Sequence, residues 1–276
     1  MELPLDIKRS IRLFRPVETE GLTLYPIMVS DYEDYLIGKP AIGMMQRSLP
    51  VAFLSMPLLQ ALYQIDFEHR VNGEAPEGWF YRTLLFLSLS LRLDGMKNGG
   101  NDLPFLLYAD PENPKKLKEI RFFQNGEEKK ITPIMFSRLR PILAAQNAIE
   151  LYGDEVNPEL VEAEADVAEA KSTKLDFRIE DMISGVCALC GADESDVEAW
   201  PIAKLMQRQK SLRRVMDYMV CAVAEGSGCS WKHGNPQPNP WFDRIKDESA
   251  GVISMGDFAG GKGYQAMQNA GANTPI

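Results

Sequence analysis

Histidine is nearly absent from this chain: His69 and His233 are the only two in 276 residues. Neither sits in an H-E-x-x-H run or beside a serine or cysteine spaced as a nucleophile motif, so no metalloprotease or hydrolase signature is present. Cysteine is scarce as well, limited to Cys187, Cys190, Cys221 and Cys229. In a reducing cytoplasm such residues are thiols or metal ligands rather than disulfides. Basic charge is in deficit, with 30 Lys and Arg against 39 Asp and Glu and a net charge of −9. A phosphate-backbone binder needs a basic surface, so nucleic acid is not an expected partner. Long apolar runs are missing too. The most apolar stretch, Thr83 to Leu91, is broken by Ser88 and Ser90 and flanked by Arg82 and Arg92. It falls short of the roughly 20 residues that span a bilayer. Met1-Glu2-Leu3-Pro4-Leu5-Asp6 has no basic region before an apolar run, as a signal peptide would. These absences point to a cytoplasmic protein without a membrane partner.

What remains is ordinary globular material, 45% hydrophobic and 25% charged, organised mainly as helices. Residues 1–20 lack periodicity and read as a loosely tethered N-terminal arm. Residues 21–131 read as a mixed helical domain with a small β element. Leu22-Thr23-Leu24-Tyr25-Pro26-Ile27 alternates like a short edge strand. Ser30-Asp31-Tyr32-Glu33 fits a capping box, opening a short helix to about Ile37 that Gly38-Lys39-Pro40 ends. Ser55-Met56-Pro57 starts a helix toward His69, and Gly78 to about Leu93 reads as a buried helix. Met44, Met45 and Met56 around Pro50 are candidates for an adaptable apolar surface or for plain core. Phe105-Leu106-Leu107-Tyr108 is strand-like, and Asn125-Gly126 between Ile120–Phe123 and Lys129–Ile131 is a strong hairpin signal.

Residues 132–246 read as a second, C-terminal helical domain. Thr132-Pro133 starts a helix through about Asn147, which Pro141 is expected to kink or split. Asn157-Pro158 opens a helix rich in Glu159, Glu162, Glu164, Asp166 and Glu169. This is either a solvated face or a lure for a basic partner. A further helix spans Asp176 to Cys190, stopped by Gly191, and Ser195-Asp196-Val197-Glu198 fits a second capping box. A long helix runs from about Ile202 to Ala224. Leu205, Met206, Leu212, Val215, Met216, Met219 and Val220 form its apolar face, with Arg208, Lys210, Arg213 and Arg214 outside. Residues 247–276 read as a flexible glycine-rich tail.

Candidate chemistry is thin. Cys187-Ala188-Leu189-Cys190-Gly191 is a C-x-x-C-G turn that can offer two thiolates to zinc, with Cys229 and His233 as completing ligands. The same cysteines fall on the apolar face of a helix, where cysteine is a small hydrophobe, and core packing is the favoured reading. No catalytic residue and no cofactor are assigned. Gly260-Gly261-Lys262-Gly263 lacks the hydroxyl residue a phosphate loop needs. Trp231, Trp241 and Phe242 lie on a segment constrained by Pro236, Pro238 and Pro240. Aromatic rings on such a pre-ordered backbone lose little entropy on docking, either to the chain's own helices or to a partner. Trp231, Trp241 and Phe242 with Arg208, Arg213 and Arg214 are therefore the candidate partner-binding residues.

Several segments together resemble a family encoded in the tail module of tailed phages and prophages of Gram-positive bacteria. They are Ile131-Thr132-Pro133 leading to Phe136, Gln146-Asn147, Asn157-Pro158 through Glu164, Trp200-Pro201-Ile202, and Gly234-Asn235-Pro236 through Arg244. Tyr25-Pro26-Ile27 and Tyr32-Glu33-Asp34-Tyr35 also fit. The family is similar to tail assembly chaperones, and the resemblance implies a mainly helical, noncatalytic protein that binds tape-measure and tube proteins in the host cytoplasm. Residues 1–130 exceed the short chaperones. That leaves room for a virion role in the tail tip, baseplate or neck, and for self-association.

Overall fold

Nine of the thirteen residues of one helix, Trp79–Leu91, are buried, and the N-terminal half of the fold is assembled around it. The computed structural model describes residues 3–75, 77–93, 103–152 and 178–228. Among them the chain is mainly α, with eight α-helices and two small antiparallel sheets. The helices are α1 (Leu5–Arg12), α2 (Tyr32–Gly43), α3 (Leu58–Val71), α4 (Trp79–Leu91), α5 (Pro133–Gln146), α6 (Ile179–Cys190), α7 (Glu194–Glu198) and α8 (Ile202–Gly226). Strands β1 (Val17–Thr19) and β2 (Leu22–Leu24) form a hairpin, and β3 (Leu106–Ala109), β4 (Leu117–Gln124) and β5 (Glu127–Ile131) form a three-stranded sheet in that order. The chain divides into two units, Met1–Arg213 and Arg214–Ile276.

In the first unit one buried cluster extends from Val17 to Leu205. It crosses the boundary expected between residues 131 and 132 without a break, because Ile131 and Phe136 are both fully buried within it. The expected N-terminal arm is also corrected. Its residues form α1 and β1, with Ile7 and Ile11 one helical turn apart against the core and Val17 buried.

Helix α4 meets α2 at unusually close range. A Cβ on Gly38 would lie 2.9 Å from Phe86 Cβ and 3.1 Å from the Arg82 carbonyl oxygen. Gly38 therefore serves helix–helix approach rather than helix termination. α2 continues through Pro40 to Gly43, since Tyr35, Gly38, Ala41 and Ile42 are buried on both sides of the proline. The same override explains α5, which runs unbroken through Pro141 with Leu139 and Ile142 buried around it. Beside that proline, Arg140 donates to the carbonyls of Ile42 (2.8 Å) and Met44, tying α5 to the end of α2.

Other local signals appear as expected. Asn125 and Gly126 take positive φ of 55° and 81°, the two-residue turn that joins β4 to β5 in register Gln124↔Glu127. Thr132 caps α5, its hydroxyl accepting the Met135 amide at 3.2 Å. Gly191 ends α6. Neither capping box forms where expected. A 3-10 turn, Val29–Asp31, precedes α2, and α7 already starts at Glu194 after Asp193.

Buried amide side chains supply main-chain partners that the short strands lack. Gln124 donates to the carbonyls of Thr23 (2.8 Å) and Leu91 (2.9 Å) and accepts the Thr23 amide. Gln60 accepts the Leu117 amide at 2.8 Å and donates to the Lys115 carbonyl at 2.9 Å. Asn147 accepts the Ile27 amide at 2.8 Å, donates to the Leu143 carbonyl, and its own carbonyl accepts the Tyr35 hydroxyl. Each bond satisfies a group that would be costly to bury alone. The Trp200–Ile202 stretch uses main chain instead. Pro201 bridges Met28, Val29 donates to the Trp200 carbonyl at 2.8 Å, and Ile202 donates to the Ile27 carbonyl at 2.9 Å.

Candidate functional site

Helix α8 carries an apolar stripe at positions 202, 205, 212, 216, 219, 220 and 223, spacings that stack on one side of an α-helix. Ile202 and Leu205 are 0% and 1% exposed, and Leu212 is partly buried against the core. Further along the same face, Met216, Met219, Val220 and Val223 are 46%, 56%, 62% and 69% exposed. Cys221, the buried residue of the last turns, lies on a different side of the helix from the stripe. Four adjacent large apolar side chains in water form a patch rather than scattered exceptions.

The electrostatic setting is local and basic. α8 holds Lys204, Arg208, Lys210, Arg213 and Arg214 against only Asp217 and Glu225, so the helix is +3 in a chain of −9. Arg208 stands four residues before Leu212 and Arg213 three before Met216, so both neighbour the stripe. The Lys204 ammonium lies 3.7 Å from the centre of the Trp200 ring. Burial, then repulsion from Arg208, holds its pKa below the ordinary lysine value. Arg208 and Arg213 are exposed, and Arg214 is half-buried. Arg214 lies about 160° around the helix from Met216, away from the exposed stripe. Trp231, Trp241 and Phe242 lie outside the described residues.

The C-x-x-C turn sits at the end of α6. Cys187 is half-buried against the core and Cys190 is exposed. Burial, reinforced by the carboxylates of Glu194 and Asp193, pushes the Cys187 thiol up. That shift runs against a free thiolate of the kind a redox centre uses. Cys229 and His233 lie outside the described residues, as does the acidic stretch 157–170. No cluster of three metal-ligating side chains occurs among the described residues. No described helix is long and apolar enough to cross a membrane.

A cleft of about 440 Å³ opens between the segment around Pro50, the end of α3 and the start of α4. Met44, Leu49, Pro50, Phe53 and Ile65 form its apolar side, and Glu68, His69, Glu77 and Trp79 its polar side. Met44 and Met56 both pack against the core, and Met44 also lines this cleft with Pro50. On the polar side Glu68 accepts from Gln64 (3.0 Å) and Lys115 (3.1 Å), and Glu77 accepts the Trp79 indole proton, whereas the buried His69 Nδ1 has no hydrogen-bond partner. Met216, Met219, Val220 and Val223 are among the exposed large apolar side chains of the described residues.

No protein-family model matches the chain, and no curated protein or solved structure is similar to it.

Proposed function

We propose that this protein is a noncatalytic assembly factor of a tailed-phage tail module, chaperone-like, that holds the tape-measure or tube protein during assembly in the host cytoplasm. The observation that carries the reading is the exposed run Met216, Met219, Val220 and Val223. Such a patch on a long helix suits the helix-in-groove and helix-on-helix modes of protein recognition. Methionine adapts to variable apolar partners, which suits a protein that holds unassembled chains. Covering those partners' apolar surfaces removes their drive to aggregate. The phage assignment itself rests on the resemblance of the sequence segments named above. Trp231, Trp241 and Phe242 add a second docking element in the same proposal.

The test is a tagged co-expression pull-down with the tape-measure and tube proteins encoded beside the gene, alongside mass spectrometry of purified virions. Capture of either partner with absence from virions is expected. Many copies in virions would instead make this a structural protein of the tail tip, baseplate or neck. Trp231→Ala with Trp241→Ala is expected to weaken capture while the helical circular dichroism signal stays intact.

A further inference from the structure

We infer that the cleft between the Pro50 segment, the end of α3 and the start of α4 binds a small organic cation, a primary ammonium on an apolar body, with Glu77 as its counter-ion. The site is built from other elements than α8 and stands independently of the proposed docking role.

At about 440 Å³ the cleft falls within the roughly 300–1,000 Å³ of small-molecule sites. Its two sides differ in chemistry. Met44, Phe53 and Ile65 are only partly buried, so they keep apolar surface that a ring or an alkyl chain can cover. The other side decides the head group. Among the described lining residues the ionisable ones are Glu68, His69 and Glu77. Two of them already have an opposite charge or its source at hand. Glu68 Oε1 lies 3.1 Å from the Lys115 ammonium, and His69 Nε2 lies 4.0 Å from the Glu74 carboxylate. Glu77 differs. Its Oε2 accepts from the Trp79 indole, a neutral donor that satisfies a lone pair but supplies no charge, and it forms no ion pair among the described residues. The cation nearby is committed elsewhere: the Arg82 guanidinium lies over the Trp79 ring, 4.8 Å from its centre. The lining therefore carries one exposed carboxylate without a counter-ion, opposite an apolar wall. A neutral ligand leaves that charge unmatched, and an anionic one is repelled by it. An ammonium forms a charge-assisted hydrogen bond with it while the ligand body covers the wall.

The test uses the full chain and three probes with one phenyl body: phenethylamine, phenethyl alcohol and hydrocinnamate, which carry ammonium, hydroxyl and carboxylate heads. The readout is local. Trp79 is one of four tryptophans, and its indole proton is held by Glu77, so its indole N–H resonance reports on the site itself. Loss of that resonance in Trp79→Phe identifies it. Titration with phenethylamine is expected to move it, with an affinity about tenfold tighter than that of phenethyl alcohol, as for one added hydrogen bond to a charged group. Hydrocinnamate is expected to leave it in place. Glu77→Gln keeps an acceptor for the indole and removes the charge. That change, at an exposed position, is expected to bring the amine down to the affinity of the alcohol and to leave the alcohol unaltered. Phe53→Ala is expected to weaken both by removing wall surface. Equal affinity for amine and alcohol in the parent would overturn the inference, as would tighter binding of hydrocinnamate. So would a resonance that no probe moves, or an amine preference that survives Glu77→Gln.

Discussion

Gly38→Ala adds one methyl group where α2 and α4 touch. The new Cβ would lie 2.9 Å from Phe86 Cβ, 3.1 Å from the Arg82 carbonyl oxygen and 3.3 Å from Phe86 Cα. None of these atoms can swing aside by a rotamer change, so the helices must separate. Separation loosens Tyr35 and Phe86, both fully buried, whose ring centroids are 6.1 Å apart. Overpacking of this kind costs about 1–3 kcal/mol, and the better helix propensity of alanine returns about 1. With rigid neighbours the upper end applies, for a net loss of about 2 kcal/mol. Gly185→Ala is the matched control in the same unit. Gly185 lies inside α6 with nothing within 4 Å of an added Cβ, so the change is expected to stabilise by about 1 kcal/mol. Urea denaturation followed by far-UV circular dichroism measures both. A Gly38→Ala variant as stable as the parent would refute the close-packing argument and return Gly38 to the role of a helix terminator.

Three further outcomes are expected. Asn147→Leu leaves the buried Ile27 amide without its acceptor and should lower stability by about 1–3 kcal/mol, read from the same denaturation curves. Asp66 is buried, with one carboxylate oxygen accepting the Phe80 amide at 3.0 Å and the other without a partner. Desolvation raises its pKa above the ordinary carboxylate value despite that bond. The native state therefore binds this proton more tightly than the unfolded chain, so stability falls as pH rises from the unfolded value through the raised native one. Asp66→Asn should flatten that part of the pH profile, and an unchanged slope would assign it to another group. Finally, Cys187→Ser with Cys190→Ser should leave the metal content and partner capture unaltered; stoichiometric zinc lost in the variant would restore the metal-site reading.

Legibility followed the range of each interaction. The Asn125-Gly126 hairpin, the Thr132 cap and the Gly191 stop are decided within a few residues, and the sequence displays them. Pro40 misled because local propensity lost to burial on both sides of it, and α5 likewise is not split at Pro141. Gly38 looked like punctuation because its partner, Phe86, lies 48 positions away along the chain. The buried amides Gln60, Gln124 and Asn147 carry no periodic signal, since each serves a main-chain group far off in sequence. The apolar stripe of α8 was legible, but its exposure was not. Spacing tells which residues share a face, whereas exposure depends on what the rest of the chain brings to that face.

The most direct measurement compares capture of the tape-measure and tube proteins by the parent chain and by Met219→Glu in parallel pull-downs. Each stripe side chain is about half exposed, so docking should bury roughly 1 kcal/mol of apolar surface at each of four positions. A carboxylate in the middle of the seam removes its own share and adds an unpaired charge, for a loss of at least about tenfold in affinity. The account predicts that the parent captures a tail protein and that Met219→Glu, still fully helical, does not. Equal capture by both proteins would contradict the claim that the α8 stripe is the docking surface.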